Sequence, residues 1–167
     1  KYAKETLQTN GFIEEEYFLR RAIAGHSDGF ALFPVKESGD ENWGLEPVFD
    51  PDLRKYEKLI NEGKYEKLKI FGISDLVSDG TVIDLLHIDI QGGELNFVEK
   101  SLEQLNKKVA YMLIGTHSRT IEGKLLELMI HAGWILEVER PAIIQLNSLQ
   151  PQTLVDGVQA WRNQNIL

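Results

Sequence analysis

The chain of 167 residues contains no cysteine. It therefore has no disulfide bond, no thiolate metal site and no cysteine nucleophile. No run of apolar residues reaches the roughly 18 needed to cross a bilayer, and the first residues lack the pattern of a secretory signal peptide. These absences favour a reducing compartment, so we expect a cytoplasmic protein with no membrane partner.

Basic residues are scarce relative to acidic ones, with 18 Lys and Arg against 26 Asp and Glu and a formal net charge of −8. A surface that follows nucleic-acid phosphates needs positive charge, so we expect no nucleic-acid partner. The composition, 43% hydrophobic and 26% charged, is typical of a folded globular domain. The length matches about one domain. The sequence leaves the oligomeric state, including a homo-oligomer, open.

Apolar segments alternate with amphipathic ones along the second half of the chain. This alternation of predicted strands and helices indicates an α/β fold with a three-layer, mostly parallel sheet. The predicted strands cover 17–24, 30–35, 68–71, 81–90, 109–115, 134–139 and 157–162, and the clearest predicted helices cover 94–105 and 121–132. A long polar loop is predicted over 36–51.

Polar side chains appear where two of the central strands end. His87, Asp89 and Gln91 are two residues apart, so in a strand they share a face. His117 and Arg119 follow the next strand of the predicted sheet. Ligands of open α/β sheets bind beyond the carboxyl ends of the strands, which makes this edge the predicted site.

Three of these residues also allow a metal-dependent enzyme. Two imidazoles and one carboxylate, from His87, Asp89 and His117, are a ligand set that suits non-haem iron. A structural role is the alternative for each polar residue, because strand ends and first helical turns often use them only to bond nearby backbone. Glu94, for example, is predicted in a first helical turn, where the helix dipole favours a carboxylate in any case.

The segment Val82–Glu94 resembles the FkbM family of S-adenosylmethionine-dependent methyltransferases, whose signature reads DLLKIDVEG-x-E. Asp89, Gly92 and Glu94 match that signature, whereas His87 stands in place of Lys and Gln91 in place of Glu. The stretches 10–11, 42–44, 114–118, 133–134 and 156–163 are also similar to the family. The resemblance implies a Rossmann-like class I methyltransferase sheet and a methyl acceptor that is a sugar, a glycan or another small-molecule hydroxyl.

The resemblance also implies roles for individual residues. Asp89 is expected near the methionine end of the cofactor or near the acceptor, and His117, with His87 behind it, is the expected general base, since imidazole titrates near neutral pH. Trp43 is the expected lid. The implied site residues are, for catalysis, Asp89, His117 and His87; for S-adenosylmethionine, Asp89, Gln91, Gly92, Ala22 and Ile23; and for the acceptor, Glu94, Trp43, Asn42 and Arg119.

One part of the family pattern is missing from these residues. The family begins with a strand and a glycine-rich loop, which would contact the cofactor, and no such loop follows a predicted strand here. We therefore expect residues 1–167 to form the C-terminal portion of a single methyltransferase domain that lacks its first strands. A non-catalytic interaction module on a degenerate methyltransferase fold is the remaining alternative.

Overall fold

A computed structural model describes residues 2–26, 29–35, 45–77, 80–147 and 150–166. Its described helices are α1 Tyr2–Thr9, α2 Leu53–Asn61, α3 Ile73–Leu76, α4 Glu94–Lys108 and α5 Arg119–His131, with a 3-10 turn at Glu14–Glu16. Its strands are β1 Ile23–Ala24, β2 Phe30–Pro34, β3 Val48–Phe49, β4 Tyr65–Phe71, β5 Ile83–Ile88, β6 Val109–Thr116, β7 Trp134–Arg140, β8 Ile143–Asn147, β9 Gln150–Val155 and β10 Gly157–Asn163.

The larger helices follow local signals in the sequence. Helix α4 buries Phe97, Val98 and Leu105 on one face, at the spacing of a helix that packs on a core. Helix α5 begins at Ser118, whose side-chain oxygen accepts a 3.2 Å hydrogen bond from the backbone N–H of Ile121. It ends just before Gly133, whose φ of +82° is a conformation that favours glycine.

The main sheet has the strand order β5-β6-β10-β7. Strands β5 and β6 are parallel and are joined through α4, whereas β10 runs antiparallel to both β6 and β7. A single hydrophobic cluster fills the space between this sheet and the two long helices. Its fully buried members include Met112, Ile114, Leu125, Met129 and Trp161.

The first half of the chain forms a second four-stranded sheet, in the order β1-β4-β2-β3. Only the β1–β4 pair in it is parallel; β2 is antiparallel to β3 and to β4. Its small core contains Ile23, Ala31 and Ile70. Strands β8 and β9 pair only with each other among the described residues, and form an antiparallel arm.

The predicted mostly parallel, three-layer Rossmann-like sheet is wrong. The described sheets are mixed and most of their pairings are antiparallel, with parallel pairing only at β1–β4 and β5–β6. The predicted order of strand, helix and parallel strand is present at β5–α4–β6. Strand β7, however, pairs with β10 instead of extending a parallel sheet. The predicted strand over 17–24 is also reduced to the two residues of β1.

Within the described part of the chain, no helix is both long and apolar enough to cross a bilayer.

Candidate functional site

The turn between β5 and α4 is built around the buried carboxylate of Glu94. Its Oε1 accepts hydrogen bonds from the backbone N–H groups of Ile90 and Gly92, and its Oε2 also accepts from Gly92, each at 3.1 Å. Gly92 has φ +103°, a conformation that a side chain would strain, and Gln91 has φ +56°. Glu94, fully buried, therefore fixes the path of the chain as it leaves the strand.

His117 brings the ends of β5 and β6 together. Its Nδ1 lies 2.9 Å from Glu94 Oε1, and its Nε2 lies 3.3 Å from Asp89 Oδ1. The ring N–H is not directed at the Glu94 oxygen, so this contact is an electrostatic one without hydrogen-bond geometry. Asp156, which precedes β10, places its Oδ2 3.8 Å from Nε2. The imidazole is thus surrounded by three carboxylates.

Exposure differs across this cluster in a way that matters for chemistry. The side chain of His117 is 14% exposed and that of Glu94 is fully buried, whereas the side chain of Asp89 is 51% exposed. Gly115 faces Asp89, and a Cβ there would lie in ordinary contact with it, 3.4 Å from the carboxylate carbon. The Nδ1 edge of the imidazole therefore faces the protein interior, and the Nε2 edge faces the more open Asp89 and Asp156.

The cluster has the donor set of a divalent-metal site as well as that of a general base. Asp89, Glu94 and His117 each offer a ligand atom, and these atoms lie within 4.8 Å of one another. The ligand set predicted from sequence, which used His87, is different: His87 lies on the exposed side of β5, outside this cluster. Glu94 takes the place of His87 as the third possible metal ligand.

A cavity of about 610 Å³ opens beside the Glu94 turn. One wall is formed by residues 22–26 around β1, a second by residues 45–50, and a third by the turn 90–93 with the first residues of α4. Ala22, Ile23, Gln91 and Gly92, which the sequence assigned to the cofactor, all line it. Asp89 is not on its wall, but its Oδ1 accepts a 3.3 Å hydrogen bond from the Gln91 side-chain amide.

The remaining predicted residues do not join this site. Arg119 places Nη1 3.3 Å from Oε2 of Glu122, one turn further along α5, and makes no described contact with the cluster. His87 lines a smaller cavity of about 150 Å³, which adjoins the larger one and shares lining residues such as Ile23 and Ile90 with it. Asn42 and Trp43 lie outside the described residues.

Three contributions were missed in the sequence. Asp156 is a third carboxylate near the imidazole, although the pair Asp156-Gly157 stood out as part of the family resemblance. Thr153 donates a 3.0 Å hydrogen bond from its hydroxyl to the His117 carbonyl oxygen, and it belongs to β9, a strand that the sequence did not predict. Glu94 was assigned to the acceptor, and nothing in its spacing indicated that it would reach back to the histidine.

A second buried carboxylate supports the strand that carries His117. Oε1 of Glu122 accepts hydrogen bonds from the Thr116 hydroxyl at 2.9 Å and from the backbone N–H of Ala142 at 2.6 Å. Glu122 is 3% exposed. It therefore ties the end of β6 to the start of the β8–β9 arm, on either side of the cluster.

Comparison with known proteins gives one close match. No protein-family model matches the chain, and no solved structure matches it significantly. A protein of Jannaschia sp. (strain CCS1), named "Putative methyltransferase", is 42% identical over 163 residues. The two proteins are homologous. The aligned region is 98% of this chain and 58% of the relative, so the chain spans little more than half of the relative's length. The match supports the methyltransferase part of the resemblance and leaves the FkbM family without a matching model.

Proposed function

We propose that this protein is an S-adenosylmethionine-dependent methyltransferase that acts on a hydroxyl group of a sugar, a glycan or another small molecule. The observation that carries the proposal is the position of His117 between Asp89 and Glu94, next to the turn 90–93 that lines a cavity of cofactor size, in a chain homologous to a protein named "Putative methyltransferase". Residues 1–167 are then one portion of the methyltransferase domain, because they align with 58% of the relative.

The chemistry of the cavity fits such a cofactor. Its volume of about 610 Å³ lies within the roughly 300–1,000 Å³ usual for small-molecule sites. Ile23, Phe33 and Phe49 give it an apolar and aromatic wall for a base. Glu46 and Asp50 add carboxylates, which suit the positive charges of a sulfonium and an ammonium group and the hydroxyls of a ribose. When bound, S-adenosylmethionine supplies the methyl group as an electrophile.

In this proposal the residues of the cluster position the acceptor and remove its proton. The cofactor would supply its methyl group to the acceptor oxygen and leave as a neutral thioether, and the hydroxyl proton would move to Nε2 of His117. Asp89 and Glu94, 3.3 and 2.9 Å from the ring nitrogens, stabilise the imidazolium that results. The buried Glu94 lies 2.9 Å from Nδ1 and is itself fixed by backbone hydrogen bonds, so little reorganisation is needed around the charged ring.

Calorimetric titration of the full-length protein with S-adenosylhomocysteine tests the cofactor. We expect binding, weakened about three- to tenfold by Asp89→Ala, because Asp89 accepts the hydrogen bond that positions the Gln91 side chain on the cavity wall, and such a bond contributes about 1 kcal/mol. Asp84→Ala is the matched control, since Asp84 is an exposed carboxylate on the same strand. The proposal fails if the unaltered protein binds nothing, or if both substitutions weaken binding equally.

The acid–base role needs its own control. Once an acceptor is in hand, we expect His117→Gln to reduce the rate of methyl transfer by at least about 100-fold, the lower range for a positioned general base. His131→Gln removes an exposed imidazole of α5 and should leave the rate unchanged. Equal rates for the two variants would exclude His117 as the base.

A metal-assisted reaction is the second candidate, because Asp89, Glu94 and His117 bring two carboxylates and an imidazole within ligand distance of one another. Elemental analysis of the purified protein distinguishes it: stoichiometric Mn, Fe or Zn that is lost in Asp89→Ala but kept in Asp84→Ala supports this candidate. Full methyl-transfer activity after treatment with a chelator excludes it.

A further inference from the structure

The β8–β9 arm is an exposed apolar surface. Its side chains at Ile143, Ile144, Leu146, Leu154 and Val155 are all exposed, Leu146 by 82%. The arm pairs with no other strand among the described residues. A two-stranded hairpin of this kind gains little stability by itself, so its apolar side chains do not serve a core of their own.

The arm is also free of charge. Residues 141–155 contain no Asp, Glu, Lys, Arg or His, in a chain that is 26% charged and carries a net charge of −8. Solvent-exposed strands ordinarily carry charged residues, which keep them soluble and unpaired. A charge-free apolar surface of this kind is typical of a binding site.

One face of the arm is turned toward the His117 cluster. Thr153 donates its hydroxyl hydrogen bond to the His117 carbonyl oxygen at 3.0 Å, and Asp156, directly after β9, lies 3.8 Å from His117 Nε2. Ile144 is paired with Thr153, and Leu146 with Pro151. In an antiparallel pair, residues directly opposite each other lie on the same face, and so does every second residue along each strand. Ile144, Leu146 and Pro151 therefore lie on the same face as Thr153 and extend that face away from His117.

We infer that this face of the arm binds the methyl acceptor, and that the acceptor has an apolar, uncharged body carrying the reactive hydroxyl. The inference rests on the proposed function and narrows its acceptor class. Glu94 lies at the Nδ1 edge of His117, whereas Asp156, directly after the arm, lies at the Nε2 edge, so the acceptor hydroxyl would reach Nε2 from the arm. The side chains of Ile144, Leu146 and Pro151 offer no hydrogen bond, whereas a sugar needs several to replace its water.

Two six-membered-ring alcohols test the acceptor class. Menthol has an apolar ring with a single hydroxyl, and methyl glucoside has a similar ring covered with hydroxyls. We expect saturation-transfer NMR on the full-length protein to detect menthol and not methyl glucoside. Leu146→Asp should weaken menthol binding about tenfold, because it replaces an apolar contact by a charge. Gln145→Asp adds the same charge on the opposite face and should change nothing.

Leu146 is mostly exposed, so we expect both variants to fold, and equal thermal midpoints would verify this. The inference is overturned if methyl glucoside binds in preference to menthol, or if Leu146→Asp and Gln145→Asp affect menthol equally. It is also overturned if the arm instead joins two copies of the chain, seen as a doubled mass that Leu146→Asp abolishes. Calorimetry with S-adenosylhomocysteine on the same samples shows which proposal has failed. If S-adenosylhomocysteine binds, only the acceptor inference is wrong; if it does not bind, the methyltransferase proposal is wrong.

Discussion

Replacing Glu94 by glutamine tests how much the buried carboxylate stabilises the turn at the site. The carboxylate accepts from two backbone N–H groups, Ile90 and Gly92, and faces the His117 ring. Hydrogen bonds to charged groups contribute about 1.5–3 kcal/mol each. Glutamine keeps one acceptor oxygen but turns a donor NH2 toward Gly92 N–H or His117. We therefore expect Glu94→Gln to lower the free energy of unfolding by about 2–4 kcal/mol.

Urea unfolding measures this loss directly, and calorimetry should show a thermal midpoint lower by roughly 5–12 °C for a chain of this size. Glu99→Gln is the control, because Glu99 is exposed on the same helix and its substitution should change stability by less than about 0.5 kcal/mol. If Glu94→Gln costs no more than Glu99→Gln, then Glu94 is not the residue that fixes the turn, and the geometry of His117 needs another explanation.

Three further substitutions test the surrounding structure. Gly157→Ala should destabilise the protein by about 1–3 kcal/mol, because its Cβ would lie 2.0 Å from Oε1 of the buried Glu122; unchanged urea unfolding would refute this contact. Gly123→Ala, in the middle of α5 with open space at its Cβ, should raise the free energy of unfolding by about 0.5–1 kcal/mol; a decrease would show a close neighbour there. Lys107 lowers the pKa of the Glu103 carboxyl by hydrogen bonding and charge, so the small stability from this pair is present above the ordinary Glu pKa and is lost as the pH falls through the lowered value. NMR titration should show the pKa of Glu103 rising in Lys107→Met, and an unchanged pKa would contradict the pairing.

Several residues that the structure brings together could be grouped from the sequence, whereas the predicted fold class was wrong. Asp89, Gln91 and Gly92 could be grouped because they lie within four residues at the end of one strand, and His117 because it follows the next strand along the chain. The parallel β5–β6 pair then brings these strand ends together. Ala22 and Ile23 were assigned through the family resemblance alone, and the structure places them on the wall of the same cavity.

The fold class was not predictable from the same signals. The alternation along β10 indicates a strand with one buried face, and that pattern does not state whether the neighbouring strand is parallel or antiparallel. The arm was missed for a related reason: Pro141, Pro151 and several polar residues interrupt 141–155, and such residues are not typical of strands. In the structure Pro151 lies in β9, which has only β8 as a neighbour among the described residues, and edge strands of this kind tolerate proline.

The role of Glu94 could not be derived from sequence because it depends on a left-handed turn. Gln91 and Gly92 both adopt positive φ, which folds the chain back so that the first residue of α4 reaches the end of β5. His87, in contrast, was predicted to join the site and does not. It shares a strand with the site and was expected beside Asp89, but β5 has only β6 as a described neighbour and His87 lies on its exposed side.

Mapping of backbone amide shifts by NMR, with S-adenosylhomocysteine added to the full-length protein, is the most direct test of the central claim that donor and histidine share one site. The account predicts that the amides of Ile23, Gln91 and Gly93 shift together with the ring signals of His117, while those of α1 stay in place. Shifts confined to other parts of the chain, or none at all at saturating ligand, would contradict it.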